Sequence, residues 1–277
     1  MEMFKLVVSD FDGTLIDSDD GIPVTTVAAI DQYRRNGGLF AVATGRVLKS
    51  VLEYTKDYHF IDYIVSLNGA YIYDVNKEKV LAKQRLTLKA IRALNKLYAN
   101  DRILCYCTPD AWNIYAGIIK VEKGLYDLQK IITNPEKFIN DNKNNIYKME
   151  VHFSTKEDAV KACKEIKKLD LDIEGVVQIH TKKDFVVEVT SVKANKLLGV
   201  KKVQELLDIN NKDIAVIGDS YNDLGLMKSN YYGVAVQNAC TEIKKKADYI
   251  TNSNDNKGVE KFLKEKCLKE KKWKKLV

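Results

Sequence analysis

The feature that most constrains this chain is a short apolar run that ends on an acid. Residues 5–9 (Lys-Leu-Val-Val-Ser) are apolar, β-branched and too few for a helix, so they read as a buried strand that delivers Asp10 at its carboxyl end. Residues 24–35 follow with helical spacing, Pro23 near the first turn and Gly37-Gly38 after the last, the asymmetry of a helix start and stop. A second buried-strand run at 39–43 ends on Thr44-Gly45-Arg46, and residues 47–58 can form another helix. Strand, helix, strand, helix in this order predicts a parallel sheet with helices on its faces.

A third strand at 61–67 runs into Asn68-Gly69, and two short β-like segments at 71–74 and 80–83 follow. From about residue 87 the texture changes: a helix at 88–98, strand-like runs at 103–107 and 112–116, a helical stretch at 121–132, a strand at 147–153, a helix at 155–168 and strands at 176–180 and 185–189. This reads as a self-contained α+β insert, a cap, with a polar loop at 140–145 and no internal repeat. The earlier pattern then resumes with a helix at 193–207, strands at 213–217, 232–236 and 249–251, and a polar cluster at 218–223. The expected fold is α/β: a Rossmann-like doubly wound parallel-sheet core made of residues 1–84 and 190–277, with residues 85–189 inserted as an α+β cap.

Composition narrows the classes left open. A chain of 277 residues, 45% apolar and 30% charged, suits a soluble protein of one large or two medium domains. No stretch approaches the roughly 20 apolar residues that span a bilayer. The first residues enter the strand without the basic start and apolar run of a signal peptide, so a cytoplasmic location is expected. Five scattered cysteines with no C-x-x-C fit a reducing compartment rather than a disulfide framework or zinc ribbon. The net charge of +7 concentrates at the end, where residues 264–277 hold seven lysines against two glutamates. A Lys-rich end is ordinarily a solvated helix or frayed terminus, so neither nucleic acid nor membrane is expected as a partner.

Three strand ends carry acids or phosphate-binding groups: Asp10 with Asp12, Thr44-Gly45, and Asp219 with Asp223. Open α/β sheets bind ligands outside the carboxyl ends of their strands, so clusters roughly 200 residues apart can share one site. Carboxylates gathered there would repel one another unless a cation compensated them, and an all-oxygen set favours Mg²⁺. Of two carboxylates at i and i+2, one can bind the metal and attack phosphorus while the other protonates the leaving alkoxide and later activates water. A lysine, the Thr44 hydroxyl and nearby backbone N–H groups can hold the remaining phosphoryl charge. Singly, each piece also has a plain structural reading, since D-G is a common turn, T-G-R a helix start and G-D-S-x-N-D a polar loop.

Taken together, Asp10-Phe11-Asp12-Gly13-Thr14-Leu15, Thr44-Gly45-Arg46, Lys196 and Gly218-Asp219-Ser220-Tyr221-Asn222-Asp223 resemble the four ordered motifs of the haloacid dehalogenase superfamily. Ser66-Leu67-Asn68-Gly69-Ala70, the run Gly233 to Ala239 and Ala247 to Thr251 are similar to its Cof-type phosphatases, and the insert resembles their C2-type cap in position and texture. The resemblance implies that Asp10 is nucleophile and metal ligand, that Asp12 is acid/base and offers its backbone carbonyl to Mg²⁺, that Asp219 is a metal ligand and that Asp223 supports the metal shell. It further implies that Thr44, Gly45, Lys196 and Asn222 bind the transferring phosphate, with Arg46 and Asn68 near the substrate.

Two positions depart from the family pattern. Leu197 follows the motif lysine where a glycine is usual, with Lys193 as a competitor, and Ser220 replaces a frequent glycine. The expected activity is hydrolysis of a small phosphomonoester, a sugar phosphate or phosphorylated cofactor. The alternative within the superfamily is a phosphosugar mutase, and an alternative of another class is a non-catalytic binder of RNA or membrane through the tail with Leu268, Trp273 and Leu276. His59, His152 and His180 match no metal pattern, and Tyr106, Trp112 and Tyr115 read as strand packing or as a pocket lining.

Overall fold

The structure, a computed structural model, describes residues 4–116, 128–181 and 184–268. In chain order, β1 (Leu6–Ser9), α1 (Val24–Arg35), β2 (Leu39–Ala43), α2 (Leu48–Tyr54) and β3 (Tyr63–Ser66) come first. They are followed by β4 (Tyr71–Asp74), β5 (Lys79–Lys83), α3 (Leu88–Tyr98), β6 (Leu104–Cys107), β7 (Trp112–Tyr115) and β8 (Gln129–Ile131). Next are α4 (Pro135–Asp141), β9 (Lys148–Phe153), α5 (Lys156–Lys168), β10 (Ile173–Thr181), β11 (Asp184–Ser191) and α6 (Lys196–Leu207). The chain closes with β12 (Ile214–Gly218), α7 (Leu224–Met227), β13 (Tyr232–Ala235), α8 (Thr241–Lys244), β14 (Tyr249–Ile250) and α9 (Gly258–Phe262). Two compact units result, one of Met1–Ala43, Tyr58–Tyr63 and Val203–Val277, the other of Thr44–Asp57 and Ile64–Lys202.

In the first unit five parallel strands pair in the order β14-β13-β12-β1-β2, with Leu6 opposite both Ile214 and Leu39. Leu6, Val7 and Val8 are buried, as are Ile214 to Ile217, which is why these strands are continuous apolar runs rather than alternating ones. Helix α1 packs against α9 and buries Tyr33, whose hydroxyl donates to the Phe4 carbonyl at 2.8 Å. The turn after α1 needs glycine, because a Cβ at Gly38 would lie 2.2 Å from the Tyr33 ring. Arg34 then grips Asp62 with two donors at 2.9 and 2.7 Å, and the same carboxylate accepts the Phe40 N–H.

The second unit holds a six-stranded sheet in the order β10-β11-β9-β6-β7-β8, antiparallel except for the β7–β8 pair. Alternation along the strands separates two faces. Leu104, Tyr106, Met149, Val151, Val187 and Val189 pack under α3, α4 and α5, whereas Cys105, Cys107, Trp112 and Ile114 pack with Val47, Leu67, Ala70 and Ala194.

Several expected elements are corrected. The helical stretch expected at 121–132 ends as strand β8, its Gln129 paired with Trp112, while residues 117–127 lie outside the described residues. Helix α4 occupies part of the expected 140–145 loop and starts where the Asn134 side chain accepts the Lys137 N–H at 2.9 Å ahead of Pro135. Helix α2 stops at Tyr54, before the expected 58, and α6 starts at Lys196 rather than 193.

Candidate active site

The first unit builds an acidic centre. Because β1 and β12 are parallel neighbours with Ser9 opposite Ile217, Asp10 and Asp219 leave the sheet side by side at its carboxyl edge. The Asp10 N–H donates to the Ile217 carbonyl at 2.8 Å. Carboxylate oxygens of Asp10, Asp219 and Asp223 lie within 4.8 Å of one another. Asp223 is fully buried, and its Oδ2 accepts the N–H groups of Asp219 and Ser220, each at 3.2 Å, so it braces the loop that carries Asp219. This packing requires Gly218, where a Cβ would meet the Asp223 carboxyl at 2.6 Å.

The turn after Asp10 closes on the same centre. Thr14 donates to Asp219 Oδ1 at 2.9 Å, the Gly13 backbone has a φ of +71°, and a Cβ there would sit 3.0 Å from Asp219 Oδ2. The Asn238 amide, which the sequence reading left without a role, donates to the Gly13 carbonyl at 2.7 Å. Asp12 is exposed on this turn, and Asn222 Oδ1 accepts from the Ser220 hydroxyl at 2.7 Å. Three carboxylates this close repel strongly without a cation, and their hard, all-oxygen donor set fits a divalent ion of the Mg²⁺ type.

The second unit holds the other expected residues. Thr44 is buried, its Oγ1 accepting the Arg46 N–H at 3.0 Å and its carbonyl the Asn68 N–H at 2.9 Å. Leu67 donates to the Arg46 carbonyl at 3.0 Å, lacing the two loops together. Leu67, Asn68 and Gly69 have φ of 52°, 54° and 88°, a left-handed run that non-glycine residues adopt only where the surroundings impose it. The Arg46 guanidinium stands 5.4 Å over the Tyr54 ring. Lys196 is 1% exposed at the start of α6 while Lys193 is exposed, so burial separates the two competing lysines. The close approach of α6 to the 67–69 turn uses Gly199, where a Cβ would lie 2.4 Å from Val65.

Sequence reading missed a buried charge cluster in this unit. Lys148 on β9 is 1% exposed and reaches Glu188 at 2.5 Å, Glu150 at 2.6 Å and the Gly45 carbonyl at 2.9 Å. Its ammonium is held well above the ordinary lysine range: burial alone would lower it, and the charges of Glu150 and Glu188 outweigh that. The available signal was the period of two, which puts Lys148 and Glu150 on one face; their pairing with Glu188 depends on register across strands.

The other residues singled out make packing or polar contacts. Tyr106 and Tyr115 pack on the helix-covered face, Tyr106 donating to Asn95 at 2.5 Å, while Trp112 is buried on the opposite face. His152 Nδ1 pairs with Asp184 at 3.0 Å, and the His59 carbonyl accepts from Arg34. The side chain of His180 and the tail residues 269–277, with Trp273 and Leu276, lie outside the described residues. Cys105, Cys107 and Glu150 also cluster, but burial pushes both thiols up, which disfavours the thiolates a soft metal needs. Among the described residues no helix is long and apolar enough to cross a membrane.

Comparison with known proteins places these features in context. A family profile described as haloacid dehalogenase-like hydrolase matches residues 7–263. A 5-amino-6-(5-phospho-D-ribitylamino)uracil phosphatase of Bacillus subtilis is 27% identical, covering 94% of each chain. Among solved structures, a haloacid dehalogenase-like hydrolase from B. subtilis superposes with a TM-score of 0.81 at 24% identity over 94% of this chain and 99% of its own. The subclass IIB sugar phosphatase BT4131 gives 0.78 at 22% identity over 94% and 98%. At these identities the structural likeness speaks for the fold.

Proposed function

The chain belongs to the haloacid dehalogenase-like hydrolases, and from that premise we propose that it is a Mg²⁺-dependent phosphatase that hydrolyses small phosphomonoesters through an aspartyl-phosphate on Asp10. The observation that carries this reading is the convergence of the Asp10, Asp219 and Asp223 carboxylates within 4.8 Å, at the carboxyl ends of adjacent parallel strands. Asp12, two residues after Asp10 and exposed, supplies the second carboxyl that hydrolysis needs.

A carboxylate oxygen of Asp10 attacks phosphorus, the bond from phosphorus to the ester oxygen breaks, and the departing alkoxide takes the proton of Asp12. Asp12, now ionised, removes a proton from water, whose oxygen attacks the phosphorus of the aspartyl-phosphate and releases inorganic phosphate. Asp10, Asp219 and the Asp12 carbonyl would hold Mg²⁺ with Asp223 in support, and the ion, when bound, offsets charge on the phosphoryl oxygens. Thr44, Gly45, Lys196 and Asn222 hold the phosphoryl group, with Arg46 and Asn68 beside the alcohol moiety. Residues 1–84 and 190–277 form the catalytic core and 85–189 the cap that selects the substrate. The partner is a small phosphorylated metabolite met in the cytoplasm, in keeping with the substrate named for the Bacillus relative.

The test is phosphate release from a panel of sugar, cofactor and nucleotide monoesters with Mg²⁺. Asp10→Asn should lower turnover by about 10³-fold or more, and EDTA should abolish it until Mg²⁺ is restored. Turnover that survives both changes would sink the mechanism.

A further inference from the structure

The turn that carries Asp12 has a glycine at its tip. Gly13 joins Asp12 to Thr14 with a φ of +71°, and a glycine backbone left to itself ranges widely, so the shape of the tip is imposed by its neighbours. Part of the constraint is local: the N–H groups of Leu15 and Ile16 both donate to the Phe11 carbonyl, at 3.0 and 2.9 Å. The rest comes from side chains far along the sequence.

Strand β13 pairs with β12, and β12 with β1, so the loop after β13 starts two strands away from the turn. It reaches the nearer strand's loop with backbone, the Cys240 N–H donating to the Asp219 carbonyl at 2.9 Å. It reaches the farther one with a side chain, Asn238 Nδ2 donating to the Gly13 carbonyl at 2.7 Å. The Asn238 amide is tied at both ends, since its Oδ1 accepts the Asn254 N–H at 3.1 Å. A carbonyl only accepts and an N–H only donates, so this amide has one orientation. Asn254 is buried and adds a second tie, its Nδ2 donating to the Ile16 carbonyl at 3.0 Å. Asp255 adds a third, accepting the N–H and the hydroxyl of Ser18 at 2.7 and 3.0 Å. Asn238 itself is exposed, and a hydrogen bond of this kind contributes only about 0.5–1.5 kcal/mol to folding, so its consequence lies in the turn it holds.

We propose that Asn238, fixed by Asn254, is a positioning residue for the general acid: it pins the Gly13 carbonyl and so keeps the Asp12 carboxyl in reach of the departing alcohol oxygen. The inference rests on the phosphatase reading and deepens it, adding to Asp12 a group that acts only through it. A general acid must stand within hydrogen-bond reach of the atom it protonates, and a displacement of about 1 Å can cost on the order of 100-fold in rate. Without the amide the glycine tip samples other conformations, and Asp12 spends less time in reach. The penalty depends on the leaving group, because an aliphatic alkoxide departs poorly without a proton whereas p-nitrophenolate departs unassisted.

The experiment compares kcat/KM for p-nitrophenyl phosphate with that for phosphate esters of aliphatic alcohols, with Mg²⁺, in the wild-type chain, Asn238→Ala, Asn238→Asp, Asp12→Asn and the double variant Asp12→Asn/Asn238→Ala. Aspartate at 238 keeps the shape and still accepts from Asn254, but when ionised it has no proton to donate to Gly13. The ratio of aryl to aliphatic ester should rise about 10- to 100-fold over wild type in both Asn238 variants. It should rise further in Asp12→Asn, and the double variant should show the ratio of Asp12→Asn alone, since one residue acts through the other. An equal loss on both esters, or none, in Asn238→Ala overturns the proposal, as does a further rise in the double variant. A rise in Asn238→Ala that is absent from Asn238→Asp overturns the Gly13 bond as its cause. Thermal melts should find both Asn238 variants folded, and loss of the fold in both overturns the proposal in favour of a structural role. No phosphate from any aliphatic ester with the wild-type chain overturns the phosphatase reading itself, a distinguishable result.

Discussion

At Gly69 the backbone has a φ of +88°, and a Cβ would fall 2.1 Å from the Asn195 carbonyl oxygen. Gly69→Ala combines a strained left-handed residue with a backbone clash, and it should destabilise the fold by about 2–4 kcal/mol, read as a lower urea midpoint. An unchanged midpoint would mean that the turn relaxes freely. Lys148→Met strips a buried cation from between Glu150 and Glu188 and should cost about 3–5 kcal/mol in the same assay, because two buried carboxylates are left facing each other. A loss below about 1 kcal/mol would show that water already reaches them. The residues of the acidic centre could be read in advance, since Asp10, Asp219 and Asp223 sit in short local motifs whose turns dictate their spacing. Lys148 and Glu188 could not, since each looks like an ordinary strand charge until the register of β9 against β11 sets the two strands side by side.

The same two strands carry a pH-sensitive pair. His152 on β9 is held above its usual range: burial alone would lower it, but the bond to Asp184 and the charges of Glu150 and Asp184 outweigh that. A histidine whose folded value is raised contributes stability that is complete below the unfolded value near 6.5 and disappears as pH rises through the folded one. The chain should therefore lose stability on going from pH 6 to pH 8, and Asp184→Asn should flatten this slope in denaturant melts. A slope of equal size in the variant would assign the effect to other groups. Elements with strong local signals were legible: β1, α1 and β2 match their apolar runs and the punctuation of Pro23 and Gly37-Gly38. Strand β8 was not, because three residues carry no usable period and its state is decided by pairing with β7. Helix α4 announced its start with Asn134-Pro135, yet buries only Ile139, so no periodicity supports it.

Over the whole molecule, the proposed ion site at the acidic centre predicts a stability that depends on metal. Carboxylates that repel in the metal-free chain are relieved when a divalent ion binds, so Mg²⁺ at about 100 times its dissociation constant should add about 2.7 kcal/mol to folding. Differential scanning calorimetry should show the midpoint rising with Mg²⁺, and Asp219→Asn should remove most of the rise. No shift in the wild-type chain would argue that the three acids do not form an ion site. Another global property follows from the pairing of Leu6 with Ile214. Strand β1 acquires its β12 neighbour only after more than about 200 further residues have been added, which at roughly 5–20 residues per second takes ten seconds or longer on a ribosome. During that interval Leu6, Val7 and Val8 stand with one hydrogen-bonding edge open, a surface on which other nascent strands can pair. The time for which that edge waits for its partner is thus set by translation speed, and a pause ahead of β12 would lengthen it.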